Sequence, residues 1–138
     1  MKLMVYTDGA ARGNPGKAAV GIVIKDERGI VKARVKRPIG VATNNIAEYT
    51  ALLTALEYIG RSETLRCTEM VVHTDSELMA RQVRGEYKVK DPGLKMMREK
   101  VILLLSSAPF SFSIRHIPRT ENAEADALAN EALDTETP

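Results

Sequence analysis

Apolar residues form five short runs along the chain that have the length and composition of β-strands. The run Leu3 to Thr7 is apolar on both faces, which is typical of a central strand. Val20 to Lys25 and Val31 to Lys36 flank a short glycine-containing turn and predict a hairpin. The second of these alternates apolar and basic residues, which indicates one solvated face. Met70 to Thr74 and Phe110 to Ile117 complete the predicted strands.

Between these runs the apolar residues recur at steps of three and four, the spacing of helices. The pattern predicts helices over about 44–60, 76–83, 92–106 and 121–133. Pro92 suits the first turn of the third helix. The segment between the first two strands, GAARGNPGKA, is rich in glycine and predicts a turn-forming loop.

The order β-β-β-α-β-α-α-β-α predicts an α/β fold in which helices pack on the faces of a mixed sheet. We expect the first strand in the middle of the sheet, with the fourth strand parallel to it across the long first helix. The sequence has no internal repeat, low-complexity block or linker-like segment. We therefore expect a single domain over residues 1–134 and a disordered tail over 135–138.

Composition narrows the class of protein without identifying its function. The chain has 138 residues, 44% of them hydrophobic, and a formal net charge of +2. This charge is too small to indicate a nucleic-acid partner by itself. Cys67 is the only cysteine, so no intramolecular disulfide can form. Without a signal-peptide pattern or an apolar stretch of about 20 residues, we expect a cytoplasmic protein that does not bind membranes.

Two aspartates, Asp8 and Asp75, directly follow the first and fourth predicted strands. If those strands are parallel neighbours, both carboxylates lie at one edge of the sheet, where open α/β sheets bind ligands. The structural alternative is that Asp-Gly and Asp-Ser merely start turns. When each aspartate is considered alone, the sequence around it favours the turn interpretation.

Glu48 favours a functional role for these carboxylates over the turn interpretation. It lies on an apolar stripe of the predicted first helix, together with Leu52, Ala55 and Ile59. A carboxylate that faces a packed surface is costly unless positive charge or a metal compensates it. The alternative is a glutamate stabilised by the helix N-terminus, which does not explain its inward position. Asp126 lies near the start of the last helix, where a solvated acid is the structural alternative.

Several carboxylates at one edge of a sheet repel one another unless cations neutralise them. Oxygen ligands favour hard cations, so Mg²⁺ is expected and Mn²⁺ is expected to substitute for it. Two such ions about 4 Å apart can activate a water and stabilise the leaving oxygen of a phosphodiester. The sequence has no cluster of cysteine and histidine residues of the kind that binds zinc.

The chain has two histidines, His73 and His116. His116 ends the last predicted strand, just before a proline-containing loop, and could move a proton at neutral pH. A surface histidine without a role is an equal alternative. We interpret His73, which lies within the fourth strand, as structural.

Four segments of the chain contain these candidate residues: YTDGAARGNPG around Asp8, TNNIAEYTALLTAL around Glu48, TDSELM around Asp75 and RHIPRTENAEADALA around His116 and Asp126. Together these segments resemble type 1 ribonuclease H. The resemblance covers nearly the whole chain, and four motifs in this order and spacing are highly specific.

The resemblance implies a ribonuclease H-like fold with a five-stranded mixed sheet, three strands antiparallel and two added in parallel. It implies hydrolysis of the RNA strand of RNA–DNA hybrids with two metal ions, leaving 5′-phosphate and 3′-hydroxyl ends. The implied metal ligands and catalytic carboxylates are Asp8, Glu48, Asp75 and Asp126, and His116 takes the role of the family's flexible-loop histidine. The expected substrate contacts are Gly9, Asn14, Thr43, Asn44, Asn45 and Ser76.

Short amide and hydroxyl side chains suit contacts to the 2′-hydroxyls that distinguish RNA from DNA. Helix capping is the structural alternative for the segment Thr43 to Asn45. Double-stranded RNA or a DNA junction remains an alternative substrate. A non-catalytic binding module and a small-molecule metal-binding protein are alternatives from other classes.

The chain departs from better-known members of that family between the middle helices. It has no tryptophan, and the stretch that carries a basic protrusion in those members is short here. Arg81, Arg84, Lys88 and Lys90 could form a reduced basic patch, although a solvated charged face is an equal alternative. We predict weaker and more salt-sensitive hybrid binding than in protrusion-bearing relatives, and a monomer.

Overall fold

The computed structural model describes residues 1–136. The strands are β1 (Lys2–Gly13), β2 (Gly16–Asp26), β3 (Val31–Ala42), β4 (Glu69–Thr74) and β5 (Ser111–His116). The α-helices are α1 (Asn44–Arg61), α2 (Glu77–Val83), α3 (Pro92–Ser106) and α4 (Ala123–Glu136), and a short 3₁₀ helix (Arg119–Asn122) precedes α4. No helix in this range is both long and apolar enough to cross a bilayer.

The five strands form one sheet in the order β3-β2-β1-β4-β5. β2 is antiparallel to both β1 and β3, whereas β4 is parallel to β1 and β5 is parallel to β4. The predicted mixed sheet, with the first strand in the middle and the fourth strand parallel beside it, is confirmed.

Helices cover the two faces of the sheet. The main core lies between the sheet and the helices α1, α2 and α3, with fully buried residues such as Leu3, Ile22 and Leu52. α4 packs against β1, β2 and β3 on the other face, where Ala19 contacts Ala132 and Leu133. Because successive strand residues point to opposite faces, α1 and α4 approach β1 from opposite sides.

The predicted loop between the first two strands is wrong. β1 continues to Gly13 and β2 begins at Gly16, so only Asn14 and Pro15 form the turn. Ladder pairing from Gly9 opposite Val20 onward satisfies the backbone groups that a glycine-rich loop would leave to water. Small residues suit this part of β1 because helices press on both of its faces.

The last helix also differs from its predicted bounds. α4 begins at Ala123, two residues later than predicted, because the preceding residues form the 3₁₀ helix. It continues to Glu136, so the described part of the predicted disordered tail is helical. Thr135 Oγ1 donates to the Glu131 carbonyl at 3.0 Å, and Arg12 pairs with Asp134 at 2.6 Å. Residues 137–138 of the predicted tail lie outside the described residues.

Candidate active site

The site begins where β1 and β4 stop pairing. The last residue pair of this parallel ladder is Thr7 opposite Thr74, and the next residues on the two strands are Asp8 and Asp75. The two carboxylates therefore lie at the same edge of the β1–β4 pair. Asp8 does not end its strand, contrary to prediction, because β1 goes on pairing with β2 and places Asp8 opposite Gly21.

α1 reaches this edge through a close contact with Gly9. A Cβ atom at Gly9 would lie 2.2 Å from the carbonyl carbon of Ala47, so no larger residue fits without moving the helix. The contact brings Glu48 beside β1, and its Oε1 accepts a hydrogen bond from the Gly9 N–H at 2.7 Å. Glu48 is only 8% exposed, which matches the inward position predicted from its stripe.

α4 reaches the same edge from the other face through Gly21. A Cβ atom there would lie 2.1 Å from the carbonyl oxygen of Ala125. Because Gly21 lies opposite Asp8 in the ladder, this contact places the start of α4 beside that carboxylate. Asp126 is the next residue of α4, and its carboxyl group is close enough to help raise the pKa of Asp8.

The four carboxylates share one cleft of about 340 Å³, and three of them converge closely. One oxygen from each of Asp8, Glu48 and Asp75 lies within 4.8 Å of the other two. Asp126 lines the same cleft. All four carboxylates that the sequence predicts are thus brought together by two strands and two helices.

The charges of this cluster are poorly compensated by the protein. Burial, then the charges of Asp75 and Asp126, raise the pKa of Asp8 to about 8, against the opposing effect of Arg119. Burial and the charges of Asp8 and Asp75 raise the pKa of Glu48 well above its usual range. Converging oxygen donors with uncompensated negative charge fit a hard divalent cation.

The predicted substrate contacts lie at the junction between the β1–β2 turn and α1. Thr43 is the N-cap of α1, and its Oγ1 accepts from the Ile46 N–H at 3.2 Å, so the capping alternative is confirmed for this residue. Asn14 Oδ1 accepts from the Asn44 N–H at 3.0 Å, and Asn44 Oδ1 accepts from the Ala11 N–H at 3.2 Å. Asn44 also lines the carboxylate cleft, and its neighbour Asn45 is exposed.

Ser76 and His116 lie beside the cleft, at the ends of β4 and β5. Ser76 is the N-cap of α2, and its Oγ accepts from the Met79 N–H at 3.1 Å. His116 is the last residue of β5 and is 40% exposed, with Nδ1 4.0 Å from Glu77 Oε2. It is absent from the side chains that line the carboxylate cleft in residues 1–136.

His73, which the sequence analysis interpreted as structural, is buried within β4. Its Nδ1 lies 3.1 Å from the Val5 carbonyl, and its ring stacks on Tyr6 at 4.4 Å between centroids. These contacts account for the residue without a role in the cleft.

Two polar residues of the site were missed by the sequence analysis. Arg119 lines the cleft, and Asn122 is buried with its side-chain nitrogen 2.9 Å from the Thr7 carbonyl. Both lie in the segment RTEN, at the predicted boundary between the loop after the fifth strand and the last helix. A polar residue just before a helix is usually read as a cap, so the sequence carries no separate signal for either role.

The arginines of the predicted basic patch are already engaged. Arg81 contacts Glu77 and Glu86, and Arg84 contacts Glu86 and the Ile114 carbonyl. These contacts favour the charged-face alternative for the two arginines. The weaker and more salt-sensitive hybrid binding stays a prediction.

Comparison with known proteins assigns the family. A family model described as reverse transcriptase-like matches residues 6–132. A crystal structure of LC11-RNase H1 in complex with an RNA/DNA hybrid superposes with a TM-score of 0.93 at 44% identity, covering 99% of each chain. The chain belongs to the type 1 ribonuclease H family. The family and the fold predicted from the four motifs are therefore confirmed.

Relatives from a halophilic archaeon support the same assignment. The crystal structure of RNase H1 from Halobacterium salinarum NRC-1 has a TM-score of 0.90 and 43% identity, covering 98% of this chain and 99% of that one. The ribonuclease HI of Halobacterium salinarum is 43% identical over 133 residues, which is 96% of this chain. This chain spans 65% of the length of that ribonuclease HI.

Proposed function

We propose that this ribonuclease H domain cuts the RNA strand of RNA–DNA hybrids by phosphodiester hydrolysis, leaving 5′-phosphate and 3′-hydroxyl ends. The convergence of Asp8, Glu48 and Asp75 within 4.8 Å is the observation that carries the proposal. It occurs in a fold shared with LC11-RNase H1, whose structure is in complex with an RNA/DNA hybrid.

The proposed metal ligands are the four carboxylates of the cleft, Asp8, Glu48, Asp75 and Asp126. Their donor set contains only oxygen, and its negative charge is poorly compensated by the protein, so two Mg²⁺ ions, or Mn²⁺ in their place, are the proposed cofactors. When bound, such ions make a water nucleophilic and neutralise charge that develops on the leaving 3′ oxygen.

The protein's own contribution is to hold these oxygens in place around the scissile phosphate. The Gly9 N–H fixes Glu48 Oε1, and the close helix contacts at Gly9 and Gly21 fix the walls of the cleft. Arg119, at the same cleft, is placed to attract the phosphate. We propose that His116, beside the cleft, moves a proton or assists product release.

The polar junction of the β1–β2 turn and α1 is the proposed reader of the RNA strand. Asn14 and Asn44 are exposed, and the side-chain oxygen of each accepts a backbone hydrogen bond, which lowers the cost of ordering them on a substrate. Gly9 and Asn45 flank them, with Thr43 and Ser76 at the adjoining helix caps. Amide groups of this kind suit contacts to 2′-hydroxyl groups.

Double-stranded RNA is the second candidate substrate, because it presents the same 2′-hydroxyl groups on both strands. A non-catalytic binding module is disfavoured, since converging carboxylates repel phosphates unless cations intervene. The monomeric state, the cytoplasmic location and the domain limits 1–134 stay predictions.

Cleavage of end-labelled duplexes tests the proposal. RNA–DNA, RNA–RNA and DNA–DNA duplexes of about 20–30 base pairs, two to three helical turns, would be compared in Mg²⁺, Mn²⁺ and EDTA. We expect metal-dependent cutting of the RNA strand of the hybrid only, and loss of cutting in Asp8→Asn. Equal cutting of RNA–RNA would keep the site and broaden the substrate. No cutting by a folded protein that binds hybrid would contradict the proposal.

A further inference from the structure

Asn122 is a buried amide at the end of the 3₁₀ helix, and it contacts both strands of the site. Its side chain is 1% exposed. Nδ2 lies 2.9 Å from the Thr7 carbonyl oxygen and 3.5 Å from Asp75 Oδ2. One side chain thus links the 3₁₀ helix before α4 to β1 and to a carboxylate of the cleft.

The chemistry of the two neighbours fixes which end of the amide faces them. A backbone carbonyl can only accept hydrogen bonds, so the group that faces the Thr7 carbonyl must be the NH₂. Asn122 Oδ1 then points away, and within residues 1–136 it is buried without a hydrogen-bond partner. An unpaired buried acceptor destabilises the folded state. The hydrogen bonds from Nδ2 therefore form despite the free-energy cost of burying Oδ1.

The Asn122 contact lies where the ladder between β1 and β4 ends. Thr7 and Thr74 form the last pair of the β1–β4 ladder, and the next residues are Asp8 and Asp75. Beyond this pair no strand hydrogen bond joins β1 to β4 to set the spacing of the two carboxylates. The Asn122 amide bridges the strands at this point, between the carbonyl next to Asp8 and the side chain of Asp75.

We propose that Asn122 is a positioning residue that sets the spacing of Asp8 and Asp75 and orients the Asp75 carboxylate for a divalent cation. This inference rests on the proposed metal-dependent function. It assigns no contact with substrate to Asn122. Its effect passes through Asp75 and the Thr7 carbonyl alone.

The test is calorimetric titration of Mg²⁺ into the folded protein without nucleic acid, comparing the wild type, Asn122→Ala and Gln82→Ala. Gln82 is a matched control because it is also a buried amide, 4% exposed, and its Oε1 accepts from the Tyr49 hydroxyl at 2.8 Å, away from the carboxylate cleft. We expect Asn122→Ala to weaken Mg²⁺ binding by about 10–100-fold, the usual effect of losing a group that orients a metal ligand. We expect Gln82→Ala to bind within about threefold of the wild type, since it orients no ligand oxygen.

Equal Mg²⁺ affinity of Asn122→Ala and the wild type would overturn the inference and leave the proposed function intact. A wild type that binds no Mg²⁺ would overturn both. If Asn122→Ala does not fold, ¹H–¹⁵N spectra of the wild type replace it. The side-chain amide of Asn122 should then shift on Mg²⁺ addition and that of Gln82 should not, and an unmoved Asn122 amide would overturn the inference.

Discussion

Two buried aspartates of the same sheet, Asp8 on β1 and Asp26 on β2, have opposite electrostatic environments. They are 4% and 3% exposed. Burial, Asp75 and Asp126 raise the pKa of Asp8 to about 8. Burial also acts to raise the pKa of Asp26, but hydrogen bonds from the Ile30 and Arg28 N–H groups, together with the charges of Arg28 and Lys32, outweigh it and lower that pKa.

The difference lies in what the fold supplies to each carboxylate. Asp26 Oδ1 accepts two backbone hydrogen bonds, at 2.9 and 3.1 Å, and Lys32 lies 3.7 Å from Oδ2. Asp8 instead lies among other carboxylates. A buried carboxylate with its own donors stabilises a turn, whereas one surrounded by like charge needs a cation from outside the protein.

The largest expected effect is a difference in cleavage activity between variants of the two aspartates. Asp8→Asn should lower hybrid cleavage by about 1,000-fold or more, the scale of losing a central catalytic group. Asp26→Asn should cleave at the wild-type rate per folded molecule, because Asp26 serves only the β2–β3 turn. Single-turnover cleavage, with circular dichroism to verify folding, measures both. Comparable activity in the two variants would show that the two aspartates do not differ in their role in catalysis.

The next prediction tests the close helix contact that places Asp126 beside Asp8. Gly21→Ala should destabilise the domain by about 1–3 kcal/mol through overpacking against Ala125, and should also lower activity. Gly60→Ala is the matched control, since a Cβ there meets nothing within 4 Å and alanine favours the helix. Urea unfolding and cleavage assays measure the two effects. A Gly21→Ala protein as stable and active as the wild type would refute the packing argument.

A third prediction concerns the pH dependence of stability in EDTA. Because the pKa of Asp8 rises from 3.8 to about 8 on folding, its contribution favours folding at low pH and is lost as pH rises towards 8. Because the pKa of Asp26 falls below 3.8, its contribution is present at neutral pH and lost as pH falls through that lowered value. Urea unfolding from pH 3 to 9 should therefore show that Asp8→Asn flattens the decline in stability between about pH 4 and pH 8, and that Asp26→Asn flattens the decline at acid pH. The reverse pattern would show that the environments are misassigned.

The smallest expected effect concerns the groups that compensate the negative charge of Asp26. Lys32→Gln removes an exposed partner 3.7 Å away, and such pairs contribute little. The urea midpoint should stay within about 0.2 M of the wild type. A much larger drop would mean that the lysine charge, rather than the backbone N–H groups, compensates Asp26.

The sequence could predict features that local pattern determines. The bounds of α3 and the start of α1 match their predictions, because Pro92 and Thr43 give clear start signals. The inward position of Glu48 followed from helical spacing alone. These features depend on neighbours within a few residues along the chain.

Features that depend on distant partners could not be predicted in the same way. The extension of β1 through Gly13 comes from its ladder with β2 and from helices on both faces, whereas glycine content locally favours a loop. The role of Asn122 depends on Thr7, 115 residues earlier in the chain. No pattern near Asn122 distinguishes it from a capping residue.

Calorimetric titration of Mg²⁺ into the wild type, Asp8→Asn and Asp26→Asn shows directly whether the carboxylates around Asp8 bind a divalent cation. We expect the wild type and Asp26→Asn to bind Mg²⁺ with equal affinity, because the donors of Asp26 already satisfy it. Asp8→Asn should bind about tenfold or more weakly. Equal binding by Asp8→Asn and the wild type, or a loss confined to Asp26→Asn, would contradict the claim that the carboxylates around Asp8 form the cation site.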